Sequence, residues 1–245
     1  MLCFDQGWRM KNDKENKSIW EGLYSRGSSL TRYPFEEVVR FVFQSFGRGK
    51  PSLSPPRILD YGCGGGNHLV FLAREGMEWY GVDYSPSALD HARRFLAENG
   101  FDCPEGRLFC VDFNQLPFAD FFFDAVIDRQ SLDQNPAASM PRLVSEIRRV
   151  LKPGGRYLGV NFSSGHPQLK WGKPLGGGDY GDFTRGSFKD VGQRHFFTPE
   201  ELTALFSSFV IEEMTLLKRI PLDKASLGNE QIVFKARKTG SSKTN

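Results

Sequence analysis

Cysteine is scarce in this chain of 245 residues, and the four present, Cys3, Cys63, Cys103 and Cys110, include no Cys-x-x-Cys pair and no metal-ligand spacing. A disulfide framework and a bound metal are therefore not expected, and the pattern suits a reducing compartment. No stretch is long and apolar enough to span a bilayer, and the N-terminus lacks the apolar core of a signal peptide. A soluble cytoplasmic protein is the expectation. A dominant sign of charge is missing too: 32 Lys and Arg stand against 29 Asp and Glu, and a net +3 is too small to imply nucleic acid by itself. No internal repeat is visible. A chain this long can bury a substantial core, and its length supports one domain with attachments.

Glycine, by contrast, is concentrated in one place. Arg57-Ile-Leu-Asp-Tyr-Gly-Cys-Gly-Gly-Gly66 reads as a short apolar strand with a carboxylate near its end, followed by glycines at 62, 64, 65 and 66 and a helix from about His68. A chain leaving a parallel strand turns sharply into its helix, and glycines there let backbone amides approach a ligand that any side chain would displace. The loop fits a nucleotide-like cofactor. Dinucleotide enzymes use a similar turn with an acid roughly 20 residues further on. Here, however, Asn67 stands where their third glycine belongs.

Read instead as Asp-x-Gly-x-Gly-x-Gly, from Asp60 through Gly62, Gly64 and Gly66, the loop resembles motif I of class I S-adenosylmethionine-dependent methyltransferases. The resemblance continues through Glu78-Trp-Tyr-Gly-Val-Asp83, Cys110-Val-Asp112-Phe113, Phe123-Asp-Ala-Val-Ile-Asp128 and Arg149-Val-Leu-Lys-Pro-Gly-Gly155. These motifs cover residues 57 to about 162 in the expected order, and weaker similarity reaches 236. The implied fold is α/β: a doubly wound, mostly parallel seven-stranded sheet with helices on both faces and an antiparallel C-terminal edge hairpin. The implied organisation is an N-terminal helical cap over 1–50, the methyltransferase domain over 51–236, and a disordered tail over 237–245.

Local signals support that alternation. Apolar residues at 35, 38, 39, 42, 43 and 46 form one helical face, with Pro34 just before it and an end near Gly47. Pro51-Ser-Leu-Ser-Pro-Pro56 is a stiff connector. Ser85-Pro86 opens a helix that Asn99-Gly100 closes. Another helix turns Leu143, Val144, Ile147, Val150 and Leu151 inward and stops at Pro153-Gly154-Gly155. Thr198-Pro-Glu-Glu201 has the spacing of a capping box. Strands at about Val210 to Leu217 and Gln231 to Ala236 would form the edge hairpin. Residues 1–18 are polar, without sustained period, and are expected to be mobile.

The resemblance also assigns roles. Asp83, ending the second strand, would accept hydrogen bonds from both ribose hydroxyls, with Tyr84 and Ser85 along the ribose edge. Asp112 would meet the adenine amine and Phe113 would cover the ring. Asp60 and Gly62 would lie near the methionyl portion, with Cys63, Gly64 and Gly66 completing the loop. Asp128 and Arg129 would face the methyl-transfer region. Bland readings stand beside these: strand-end carboxylates solvated in turns, Phe113 as core, and an Asp128–Arg129 ion pair that only ties down its loop.

Residues 163–195 form a long segment after the fifth strand that holds Trp171, Gly176-Gly-Gly178, Tyr180, Phe183 and Phe188. Long irregular loops are often lids or binding loops, so a substrate lid with Trp171 at the acceptor is expected, against a surface insertion packed on the sheet edge. His166 and His195 flank it as candidate general bases, His195 alternatively bracing the next helix. His68 and His91 receive no role. Trp20 and Tyr24 are candidate walls of the acceptor pocket, against ordinary helix packing. The expected partner is a small-molecule methyl acceptor. A nucleic-acid or protein methyltransferase is the alternative, but Asp128-Arg-Gln-Ser131 lacks the Asn/Asp-Pro-Pro-aromatic signature of amino-methylating nucleic-acid enzymes. A nicotinamide oxidoreductase and a non-catalytic S-adenosylmethionine-binding protein are the other readings weighed. The sequence leaves the acceptor and the oligomeric state open.

Overall fold

A computed structural model describes residues 16–47, 54–223 and 227–240. The expectations for residues 1–15, the first part of the 51–56 connector and the last residues of the tail lie outside them. Residues 16–25 are helical (α1), followed by α2, Glu36–Phe46. The expected apolar face of α2 buries Val38, Phe41 and Val42.

Strict alternation then begins. β1 (Arg57–Tyr61), α3 (Asn67–Arg74), β2 (Glu78–Asp83), α4 (Pro86–Glu98) and β3 (Leu108–Cys110) precede β4 (Phe123–Arg129), α5 (Met140–Val150) and β5 (Leu151–Phe162). β6 (Lys173–Gly176), β7 (Asp179–Gly181), β8 (Arg194–His195), α6 (Pro199–Leu205), β9 (Phe209–Arg219) and β10 (Asn229–Lys238) complete the chain. Seven strands form one sheet in the order β3-β2-β1-β4-β5-β10-β9, parallel except that β10 runs antiparallel to both neighbours. Strand order reverses between β1 and β4, and a crevice opens at such a switch point.

Each central strand is buried on both faces because helices cover both. Leu59 and Tyr61 pack with Leu143, Val144 and Ile147 of α5 on one side. Ile58 packs with Leu69 of α3, Leu89 of α4 and Phe41 of α2 on the other. Local capping chemistry fixes the helix starts: Ser85 Oγ accepts from Ala88 N at 3.0 Å, and Thr198 Oγ1 from Glu201 N at 3.1 Å. No helix among the described residues is long and apolar enough to cross a membrane.

Two boundaries differ from the sequence reading. β10 continues through Arg237 and Lys238, which pair with Val210 and Phe209, so the sheet reaches into the segment expected as tail. Residues 163–195 are not an irregular loop. β6, β7 and β8 form a small antiparallel sheet over a separate apolar cluster of Phe162, Phe183, Phe188 and Phe196. Strands of four, three and two residues are too short to show a period, and their core is read only once the chain is folded.

Candidate functional site

The glycine loop leaves the carboxyl end of β1, where Gly62 N and Cys63 N both donate to Val82 O at 2.9 Å. Gly62 has φ +75°, and a Cβ there would overlap the Ser131 hydroxyl. Ser131 is pressed onto the loop because Asp128 Oδ1 accepts its amide at 2.9 Å. At Gly64 a Cβ would stand 2.5 Å from the Tyr24 hydroxyl. Bare backbone therefore serves two approaches, from the loop after β4 and from α1.

Between these parts lies a cavity of about 350 Å³. Gly62, Cys63, Gly64, Asp83, Tyr84 and Phe113 line it from the strand ends, Trp20 and Tyr24 from α1, and Arg129 from the end of β4. Asp83 is held by its own surroundings: Oδ2 accepts from Gly64 N at 3.0 Å and Oδ1 from Ser85 N at 2.9 Å. Burial pushes its carboxyl up to about 6 despite those amides. Each oxygen keeps a lone pair for a further donor. Burial also pushes the Cys63 thiol far above its usual range, so that residue serves as a small wall group and not as a nucleophile.

The helix α1 is fastened over this cavity at several points. Glu21 accepts from Ser85 Oγ at 2.6 Å and from Ser87 Oγ at 2.5 Å at the start of α4, bonds that lower its carboxyl pKa. Lys17 reaches Asp112 at 2.7 Å. Trp20 Nε1 donates to Gln134 Oε1 at 3.2 Å, and Asn16 Nδ2 donates to the Gln134 and Gln193 carbonyls.

Several expected site residues stand elsewhere. Asp60 is buried behind the loop with Oδ1 3.2 Å from His68 Nδ1, and its Oδ2 has no partner. Gly66 caps α3 and Ser85 caps α4. Asp112 sits at the rim with its side chain 54% exposed, bound to Lys17 and Asn114. Asp128 does not pair with Arg129. Its oxygens accept from Ser131 N, Leu132 N and Tyr157 Oη, so it shapes the loop after β4 and does not face the cavity. Trp171 lies away from the cleft, under the Lys170 ammonium.

Both candidate bases are also corrected. His166 has Nε2 2.9 Å from Asn229 Oδ1 and Nδ1 accepting from Gln168 N, with its ring among Phe162, Phe188 and Phe196, outside the cavity wall. His195 is fully buried between two carboxylates, Nδ1 2.7 Å from Asp179 and Nε2 2.8 Å from Glu201. Although burial opposes its charge, those two acids lift it to about 9, and an imidazole held protonated is no base. It ties β7 to α6 instead. A folded pKa above the ordinary imidazole value means that this stabilisation is complete below about pH 6.5 and is lost as pH rises through 9. His195→Ala should lower stability by about 3–5 kcal/mol, because two carboxylates lose their cation. Denaturant melts at pH 7 check the loss, and cofactor affinity of the folded variant should stay within about twofold.

Sequence reasoning passed over His68 and Arg194, both on the cavity wall. His68 follows the glycine loop directly, which is a signal for a rim position. Arg194 lies far along the chain and no local pattern marks it. Among the described residues no group of three or more His, Cys, Asp or Glu side chains is arranged to hold a metal.

Comparison with known proteins agrees with this geometry. A family model described as a methyltransferase domain matches residues 58–155. A fatty-acid O-methyltransferase of Mycolicibacterium smegmatis is 28% identical over 153 residues, covering 62% of this chain and 51% of that protein. An uncharacterized methyltransferase of Synechocystis is 32% identical over 121 residues, covering 49% of this chain and 54% of that one. The chain thus spans about half the length of these curated relatives. In fold it is similar to the 1,6-didemethyltoxoflavin-N1-methyltransferase of Burkholderia thailandensis, solved with its acceptor and S-adenosylhomocysteine. That match has TM-score 0.67 and 20% identity over 94% of this chain and 90% of that one.

Proposed function

We propose that residues 58–155, which match a family model described as a methyltransferase domain, work as a class I S-adenosylmethionine-dependent methyltransferase domain, and that the chain methylates a small molecule at oxygen or nitrogen. The observation that carries this is the cavity at the switch point, with a fixed, buried carboxylate on one wall and a bare glycine loop on the other. Its volume of about 350 Å³ is in the range of small-ligand sites.

The residues present fit the cofactor. Asp83 would accept from the ribose hydroxyls, Phe113 and Tyr84 would flank the nucleoside, and the bare backbone of Gly62 and Gly64 leaves room for the methionyl portion. Asp112 is engaged by Lys17, so a bond from Asp112 to the adenine amine would require that pair to open.

S-adenosylmethionine, when bound, supplies a methyl group on a positively charged sulfur, so the protein need not provide a strong electrophile. What the chain contributes is alignment and exclusion of water, worth about 7–11 kcal/mol where the geometry is tight. The α1 fastening over the glycine loop serves both. Where the accepting atom carries a proton, His68 is the base on the wall: a carboxylate only accepts, so Asp60 fixes the Nδ1–H tautomer and leaves Nε2, which has no partner among the described residues, as the acceptor.

Small acceptors named for the Mycolicibacterium and Burkholderia proteins support this substrate class over nucleic acid or protein, and a cytoplasmic location is part of the same reading. The test is release of S-adenosylhomocysteine from S-adenosylmethionine across fractionated metabolite pools, RNA and denatured protein. Release with a metabolite fraction is expected. Release with RNA or protein alone would move the acceptor class, and cofactor binding without any turnover would make the chain a non-catalytic binder.

A further inference from the structure

Arg194 stands on the cavity wall with only 5% of its surface exposed, and its guanidinium donates no hydrogen bond to any described residue. Asp133 Oδ1 is 3.9 Å from one of its nitrogens, too far for a hydrogen bond. The Asp133 oxygens already accept from Gln134 Nε2 at 2.9 Å and Phe162 N at 3.1 Å. Rings of Trp20, Phe162 and Phe188 surround the guanidinium at 5.0 to 5.5 Å and offer no acceptor in its plane.

Arg129 repeats this arrangement on the same cavity. Its guanidinium carbon lies 3.1 Å from the Phe35 ring centre, Nη1 donates to Gln130 Oε1 at 2.9 Å, and Nε has no partner. Burial draws it down to about 10 and lowers Arg194 as well, the mark of cations desolvated without enough compensation. Asp83 is the one carboxylate on the cavity wall among the described residues, and its oxygens are turned to the Gly64 and Ser85 amides. The wall therefore carries a positive excess with idle fork donors, the geometry that binds carboxylates two oxygens at a time.

We infer that Arg194 and Arg129 form a seat for an acidic group in the acceptor part of the cleft, and that the methyl acceptor is an organic acid held by its anion. The inference rests on the methyltransferase reading and narrows its substrate class. The cofactor's own methionyl carboxylate has the same chemistry, but it is a single anion that travels with an ammonium, and two guanidiniums exceed it. Arg194 moreover comes from outside the matched domain at 58–155, from β8.

The experiment uses the full chain saturated with S-adenosylhomocysteine, titrated calorimetrically with benzoate, indole-3-acetate and octanoate and with their primary amides. At least one acid should bind, its amide at least tenfold more weakly, and Arg194→Met or Arg129→Met should weaken the acid at least tenfold while S-adenosylhomocysteine affinity stays within threefold. Arg194→Lys, which keeps charge and fold but loses the fork, should fall between. Arg194→Met also takes a cation away from the buried Asp133, so its stability should fall, and the retained S-adenosylhomocysteine affinity is the check that the variant is folded. The inference is overturned if no acid binds, if amides bind as well, or if the methionine variants keep the acid. It is equally overturned if they lose S-adenosylhomocysteine tenfold but keep 5′-methylthioadenosine, which lacks the carboxylate. Failure of the parent to bind S-adenosylhomocysteine would instead remove the methyltransferase reading, and this inference with it.

Discussion

Asp83→Ala should weaken S-adenosylhomocysteine binding by about 10- to 100-fold, the equivalent of about 1–3 kcal/mol in lost hydrogen bonds. The same change frees the Gly64 and Ser85 amides, so the glycine loop and the start of α4 should loosen together. Asp83→Asn separates the two effects, because its carbonyl oxygen can still accept one amide. The pH dependence gives a second signature with a definite sign. Burial raises the folded-state value to about 6, so the ionised form, which accepts from ribose, is depleted below that pH. Affinity should fall about tenfold per pH unit below 6 in the parent and stay flat through that window in Asp83→Asn. Stability of the free protein moves the other way. Keeping Asp83 ionised costs on the order of 3 kcal/mol above pH 6, and the cost disappears as pH falls towards the ordinary carboxylate range. Titration calorimetry and thermal melts at pH 5, 6, 7 and 8 read both trends. Flat affinity in the parent would remove Asp83 from the cofactor site.

The second large effect belongs to Gly62. Gly62→Ala places a methyl group against the Ser131 hydroxyl at φ +75°, so left-handed strain of about 1–2 kcal/mol adds to overpacking of about 1–3 kcal/mol. Cofactor affinity should drop at least tenfold as well, because the displaced loop is the cavity wall. Gly76 is the control, with φ +72° and open space where its Cβ would stand, so Gly76→Ala should show the strain alone. The double variant Gly62→Ala, Ser131→Gly should recover the crowding part. Equal losses at Gly62 and Gly76, with no recovery, would mean that the two loops do not press on each other.

Where the sequence is legible, the cause is local. The glycine loop, the strand ending in Asp83 and the caps at Ser85 and Thr198 are each written within a few residues, and the structure builds all of them. The order of motifs carries the sheet topology for the same reason. What escapes depends on contacts across the chain. Asn16 meets Gln193, Lys17 meets Asp112, and Glu21 caps a helix that starts at Pro86, so the closure over the cavity has no pattern in any one stretch. His195 looked like a base because its neighbours Asp179 and Glu201 are separated from it by strand and helix boundaries. Arg194 was invisible as a wall residue until the 163–195 segment folded on its own phenylalanines.

The central claim is that the crevice between β1, β2 and β4 seats the nucleoside of the methyl donor with its sugar on Asp83. A crystal structure of the chain grown with S-adenosylhomocysteine tests it most directly. The account predicts density in the cavity under α1, both ribose hydroxyls within hydrogen-bond distance of Asp83 and the purine beside Phe113. Density at any other place on the molecule, or a bound nucleoside whose sugar does not touch Asp83, would contradict it.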